Sequence, residues 1–188
     1  MRLDGTQTQK NLLRAFIGES VARNRYFFYA DVAEQEGYQD VAVFFRKAAS
    51  QEREHARQFF LHMESSAGET FVDVSSFMDS TRLNLKQALA GEQNEIHNLY
   101  PGFANTAREE GFVEIASVFD IVVEAEKSHE QQFAAFLKRI EHDTIYDSED
   151  PAMWNCINCG FMHSGKEPPE KCPLCGKTKS YFRLFVII

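Results

Sequence analysis

Two stretches of this 188-residue chain repeat one another at a spacing of 74 residues, and that repeat limits the fold more than any other feature. Ala33-Glu34-Gln35-Glu36-Gly37-Tyr38 aligns with Ala107-Arg108-Glu109-Glu110-Gly111-Phe112. Further on, Ala42 meets Ala116, Phe45 meets Phe119, Glu52 meets Glu126 and His55 meets His129. Each copy reads as a helix, a glycine break and a second helix. Thr6 is a candidate N-cap for a first helix running to about Glu36, with Leu12, Leu13, Phe16, Ile17, Ser20, Phe27 and Ala30 at mostly helical spacing. Further helices are expected over residues 39–63, from Ser80 or Thr81 to about Glu110 with a kink at Pro101, and over 113–142. Residues 65–79 make a long connection between the pairs. Two short turns and one long crossover describe a mainly α chain folded as a four-helix bundle.

Composition narrows the function. No apolar run is long enough for a membrane span, and the first ten residues lack the apolar stretch of a signal peptide, so a cytoplasmic protein is expected. A formal charge of −8 argues against nucleic acid as a partner. Part of that acidity belongs to an interior site.

Glu52-Arg53-Glu54-His55 and Glu126-Lys127-Ser128-His129 are the two Glu-x-x-His sequences of the chain, at equivalent positions of the repeat. Residues three apart on a helix point the same way, so each pair can aim one carboxylate and one imidazole inward. Glu19 lies 33 residues before Glu52 and Glu92 lies 34 before Glu126, which sets one further glutamate level with each pair. One Glu from each of two helices plus Glu-x-x-His from the other two is a di-metal carboxylate pattern. A single Glu-x-x-His is more often a solvated helix face; four positions agreeing at once is not. Glu19 also sits between Ile17 and Val21, where an unpaired buried charge is costly and a metal removes the cost. Glu95, three residues beyond Glu92, is a further candidate ligand. Oxygen-rich ligation with a minority of histidine suits iron or manganese better than zinc. His62, His97, His142 and His163 have no matching partner and read as surface residues. Phe44, Phe45, Phe59, Phe60, Phe133 and Phe136 read as core.

Residues 143–153 are acidic and turn-forming and read as a linker between a bundle (1–142) and a small module (154–188). The module carries all four cysteines as Cys156-x-x-Cys159 and Cys172-x-x-Cys175, each pair followed by glycine. Clustered CxxC pairs read as a metal site rather than as disulfides. Taken alone, the module is compatible with iron or with structural zinc.

Gly91 to Ala104, the two Glu-x-x-His pairs and the two Glu-Gly turns resemble the rubrerythrins, from about Thr8 to Phe185. Trp154, Phe161, Cys-Pro-Leu-Cys-Gly and Phe182 resemble rubredoxin, with Phe161 standing where tyrosine is common. The resemblance implies a ferritin-like bundle with two oxo- or hydroxo-bridged non-haem irons on Glu19, Glu52, His55, Glu92, Glu95, Glu126 and His129, and one iron on Cys156, Cys159, Cys172 and Cys175. It implies that Glu95 and His55 exchange at one iron with redox state, and that Tyr26 and Tyr100 hydrogen-bond ligand carboxylates. It points to a peroxidase that reduces hydrogen peroxide to water. Electrons then come singly from an external donor such as a rubredoxin or NADH-dependent reductase, since no dinucleotide-binding Gly-rich segment is present. A head-to-tail homodimer, with electrons crossing between chains, is expected. Alternatives are a ferritin-like ferroxidase or iron-storage protein, a di-iron oxygenase, and a zinc-ribbon interaction protein.

Overall fold

The computed structural model describes residues 2–63 and 68–185. Residues 65–67 of the expected crossover lie outside the described residues.

Helix α1 (Gln7–Gln35) begins at Thr6, whose side chain accepts from Gln9 N at 3.1 Å, as an N-cap does. It ends at Gly37, with φ +85°, and Tyr38 N closes the turn on Ala33 O at 2.8 Å. Helix α2 (Gln39–Leu61) returns alongside. The second copy runs as α3 (Thr81–Asn94), a π-helical turn (Glu95–Leu99) and α4 (Tyr100–Glu109). It then makes the same break, with Gly111 at φ +84° and Phe112 N on Ala107 O at 2.7 Å, before α5 (Val113–Glu141). The positive φ explains glycine at both turns.

The two pairs cap one another. Glu36, closing α1, accepts from Thr81 N at the start of α3 at 3.0 Å. Glu110, its copy, accepts from Gln7 N at 3.0 Å, Thr8 N at 2.7 Å and Thr8 Oγ1 at 2.6 Å, at the start of α1. Each carboxylate satisfies amides that have no partner within their own helix and sits at its positive end. An ion pair also repeats with its polarity reversed: Glu34 with Arg46 in the first copy, Arg108 with Asp120 in the second.

The third helix departs from expectation. The irregularity is the π turn, and Pro101 sits just beyond it, where the hydrogen-bond ladder is already shifted, Tyr100 N bonding to Glu95 O. A π turn is the local signature of one inserted residue. The repeat locates the insertion: Glu19 and Glu92 are 73 apart, while Tyr26 and Tyr100, and all pairs after them, are 74 apart.

Two apolar clusters fill the bundle. Tyr26, Tyr29, Phe45, Phe133 and Phe136 pack toward the Gly37 end, and Leu12, Phe59, Tyr100, Phe103 and Phe119 toward the Gly111 end. Phe60 is not core, being 56% exposed, and Phe44 is only partly buried. Phe60 instead meets Phe16 across the outer face of the α1–α2 pair, at 5.5 Å between rings. No helix among the described residues is long and apolar enough to cross a membrane.

The first part of the stretch 143–153 does not extend; it folds against its own bundle. Arg139 donates to Thr144 O at 2.8 Å and to Ile145 O at 2.8 Å, and Tyr146 OH donates to Gly37 O at 2.7 Å. A cation bonded to carbonyls beyond a helix C-terminus outweighs repulsion among acids that stay in solvent. The module is a three-stranded antiparallel sheet, ordered β2-β1-β3, of β1 (Ala152–Cys156), β2 (Met162–Gly165) and β3 (Phe182–Leu184). It rests on the Gly37 end, with Arg183 4.0 Å from Asp40 and Arg139 5.9 Å over the Trp154 ring.

Candidate metal centres

Glu19 of α1, Glu52 and His55 of α2, Glu92 of α3, and Glu126 and His129 of α5 converge in the bundle interior. They form two overlapping groups, Glu19–Glu52–His55–Glu126 and Glu52–Glu92–Glu126–His129, within each of which the candidate ligand atoms lie no more than 4.8 Å apart. Glu52 and Glu126 belong to both. His55 Nδ1 lies 2.9 Å from Glu52 Oε2 and 2.7 Å from Glu126 Oε1. His129 Nδ1 lies 3.1 Å from Glu52 Oε1 and 2.8 Å from Glu126 Oε2. Glu95 belongs to neither group. It opens the π turn and is only partly buried, whereas the other four carboxylates are sealed.

The tyrosines cross between the copies. Tyr100 OH donates to Glu19 Oε1 and Tyr26 OH to Glu92 Oε1, so each phenol orients one carboxylate. The other oxygens, Glu19 Oε2 and Glu92 Oε2, have no hydrogen-bond partner, and Glu52 Oε1 and both Glu126 oxygens face only the imidazoles. Gln51, which the sequence reading passed over, sets the second histidine: its Oε1 lies 3.1 Å from His129 Nε2. With a carbonyl as acceptor, Nε2 carries a proton, which leaves Nδ1, facing the carboxylates, as the nitrogen able to take a metal. Its copy in the repeat is Ala125, so the repeat gave no signal for it.

Protons alone balance this cage poorly. Burial, reinforced by Glu95, Glu126 and Glu52, pushes the Glu19 carboxyl well above its usual range. Burial with Glu52, Glu126 and Glu95 does the same to Glu92, and burial with Glu126 and Glu52 to Glu95. Burial also acts to raise Glu126, but the close imidazoles of His129 and His55 outweigh it and hold Glu126 at about 2. Burial disfavours charged imidazoles, yet Glu126 and Glu52 carry His55 to about 10 and His129 to about 9. Carboxylate oxygens on Glu19 and Glu92 without donors, and acids that resist ionisation together, fit a pair of divalent cations, and the oxygen-rich set fits iron.

The four cysteines converge in the module. Cys156 and Cys175 Sγ are 3.8 Å apart and Cys159 and Cys172 Sγ 3.6 Å. A disulfide needs about 2.05 Å, whereas a tetrahedral ion with bonds of about 2.3 Å sets sulfurs about 3.8 Å apart. Gly160 N and Gly176 N close the two turns on Cys156 O and Cys172 O, both at 2.8 Å, with φ of +78° and +72°. The Lys177 amide beside Cys175 holds its thiol down at about 6. Trp154 is buried beneath the site and donates to Gly165 O at 2.9 Å.

A four-helix bundle with a long crossover and an interior glutamate–histidine cage defines a ferritin-like di-metal protein. The chain belongs to the rubrerythrin family: the family's pattern matches residues 10–137, and that of the rubrerythrin rubredoxin-like domain matches 154–183. A rubrerythrin of Porphyromonas gingivalis is 42% identical, with 96% of this chain and 90% of that one covered. One of Nitratidesulfovibrio vulgaris is 40% identical, with 98% and 97% covered. A structure of nigerythrin in a mixed-valence state is 30% identical with a TM-score of 0.65, covering 97% of this chain and 91% of that one. Mycobacterium tuberculosis bacterioferritin BfrA shares the fold at 19% identity and a TM-score of 0.66, covering 76% and 90%. The cofactors are the di-iron pair of the bundle and the iron of the rubredoxin-like domain.

Proposed function

We propose that the chain is a peroxidase that reduces hydrogen peroxide to water and is re-reduced one electron at a time through its four-cysteine iron. The observation that carries this reading is the union, in one chain, of a two-metal cage and a thiolate site. Breaking the O–O bond of hydrogen peroxide takes two electrons and two protons and yields two waters. When bound, the iron pair supplies both electrons together, which avoids the one-electron cleavage that releases hydroxyl radical.

The chain's own groups hold and orient. Glu52 and Glu126, common to both groups, would be shared between the two metals, and Glu19 and Glu92 would each serve one. Burial and the facing carboxylates push both phenols well above their usual range, so Tyr26 and Tyr100 remain donors to Glu92 and Glu19. His55 and Glu95 would alternate as ligands to one of the metals. His55 within the first group and Glu95 outside both support that exchange.

Iron storage needs the bundle but has no use for the module, and that separates the two readings. Purified protein is expected to be red from ferric thiolate and to consume hydrogen peroxide with a reduced rubredoxin or an NADH-dependent reductase as donor, as suits a cytoplasmic defence. Removing residues 151–188 should leave a bundle that oxidises once after chemical reduction but does not turn over with the protein donor. Sustained donor-driven turnover without the module would refute the proposal.

We infer also a head-to-tail homodimer. The module rests at the Gly37 end, and Glu52 lies thirteen residues into α2, about 20 Å away along the helix. A partner chain running the other way brings its module beside this cage, and a two-fold axis closes the pair. Mixing a variant lacking Glu52 and Glu126 with one lacking Cys156 and Cys159 should restore turnover. Mixed dimers that form and stay inactive mean transfer within one chain.

A further inference from the structure

We propose that the groove between α1 and α3 is the route by which small oxidants reach the cage, and that Gly18 and Gly91 set its width. The proposal rests on the peroxidase reading for the identity of the oxidant, but not for the existence of the route.

A cavity of about 290 Å³ runs along this groove. Gly18, Val21 and Tyr26 line it from α1, and Gly91 and Glu95 from α3 and the π turn, with the exposed Arg14 at its mouth. A water occupies about 30 Å³ in the liquid, so the space admits hydrogen peroxide with room to spare. Glu95, a partly exposed residue whose carboxyl is turned inward, stands on its wall, and Tyr26 leads onward through its hydrogen bond to Glu92.

The two glycines need a reason. Glycine weakens a helix interior relative to alanine, because it loses more conformational freedom on folding. It is usually kept for a positive φ or for a close approach. Neither holds here. The positive-φ glycines of the chain are Gly5, Gly37, Gly111, Gly160 and Gly176. A Cβ built on Gly18 or Gly91 meets nothing within 4 Å. Yet glycine stands directly before Glu19 and before Glu92, in both copies of the repeat, and both glycines face the same cavity. What they contribute is open space beside the metal-binding glutamates.

The test uses the full iron-loaded chain with Gly18→Leu and Gly91→Leu, and a double variant with Gly18→Ala and Gly91→Ala. Azide is the probe of entry, followed by the change in visible absorption of the ferric protein in rapid mixing. Each leucine variant should keep its iron and bind azide about tenfold more slowly or worse. Turnover with tert-butyl hydroperoxide should fall further than turnover with hydrogen peroxide. The double alanine variant should melt at a higher temperature than the wild type, since its methyl groups enter free space, and should bind azide severalfold more slowly. Wild-type azide rates in iron-replete leucine variants overturn the proposal. If leucine disturbs iron content, the alanine variant decides: a wild-type azide rate overturns the proposal just as well. Slowed azide entry in a protein that never turns over peroxide would keep the route and remove the peroxidase reading.

Discussion

At the scale of single residues, the bundle interior combines side chains that are unfavourable there one at a time and compatible only as a set. Glu19 and Glu126 are fully buried, and Glu52 and Glu92 are 1% exposed. Such acids require partners. Glu52 serves both groups, so Glu52→Ala is expected to lose the di-iron pair and leave iron content at that of the cysteine site. Glu95→Ala should keep its iron, because Glu95 stands outside both groups, while peroxide turnover slows. Metal analysis and stopped-flow turnover check the two together, and full iron content in the Glu52 variant would refute the bridging role. Much of this cage could be read in advance, because a metal imposes a donor type and a helical face imposes a spacing of three. Gln51 could not. Its amide acts through a histidine on another helix, and neither its position nor its copy Ala125 marks it.

Among the elements, the helices and the two glycine turns were legible because periodicity and φ are local properties. The contacts that lock one pair to the other were not. Glu36 and Glu110 lie in exposed turns and look like ordinary helix-end acids, but each caps a helix remote in sequence. Replacing both by alanine should lower the melting temperature while leaving iron content unchanged, at about 1 kcal/mol for each lost cap. An unchanged midpoint would mean that water replaces them without loss. The π turn did leave a trace, the step from 73 to 74 in the repeat. Beside it Pro101 offered a more familiar cause for a bend, and the one-residue step has meaning only once the glutamates and tyrosines are known to face each other. The docked linker was missed for another reason: its acids predict repulsion, and the arginine that holds it belongs to the preceding helix.

The molecule as a whole should respond to pH more steeply without metal than with it. In metal-free protein, burial raises Glu19, Glu92 and Glu95, and the carboxylates raise His55 and His129 over the counteracting effect of burial. A group whose folded pKa is raised stabilises the fold below its unfolded value, and that contribution is lost as pH climbs through the folded value. For the histidines the loss runs from 6.5 up to about 9 and about 10. For the three carboxyls it begins at 4.5. Glu126, held at about 2, works the other way, but only below 4.5. The melting temperature of metal-free protein should therefore fall between about pH 5 and about pH 10, and that of iron-loaded protein should stay flatter, because the metal needs the deprotonated ligands. A metal-free midpoint that climbs over this range would contradict the charge balance described for the cage. The inserted residue of the π turn bears on the same cage. In their candidate ligands the duplicated halves otherwise match: each lends a glutamate, a Glu-x-x-His pair and a tyrosine that crosses to the other. Among those ligands Glu95 alone has no counterpart, since Val21 and Ala22 occupy its place in the first half. One added residue thus breaks the internal symmetry of the bundle, and the two metal positions are inequivalent before any substrate arrives.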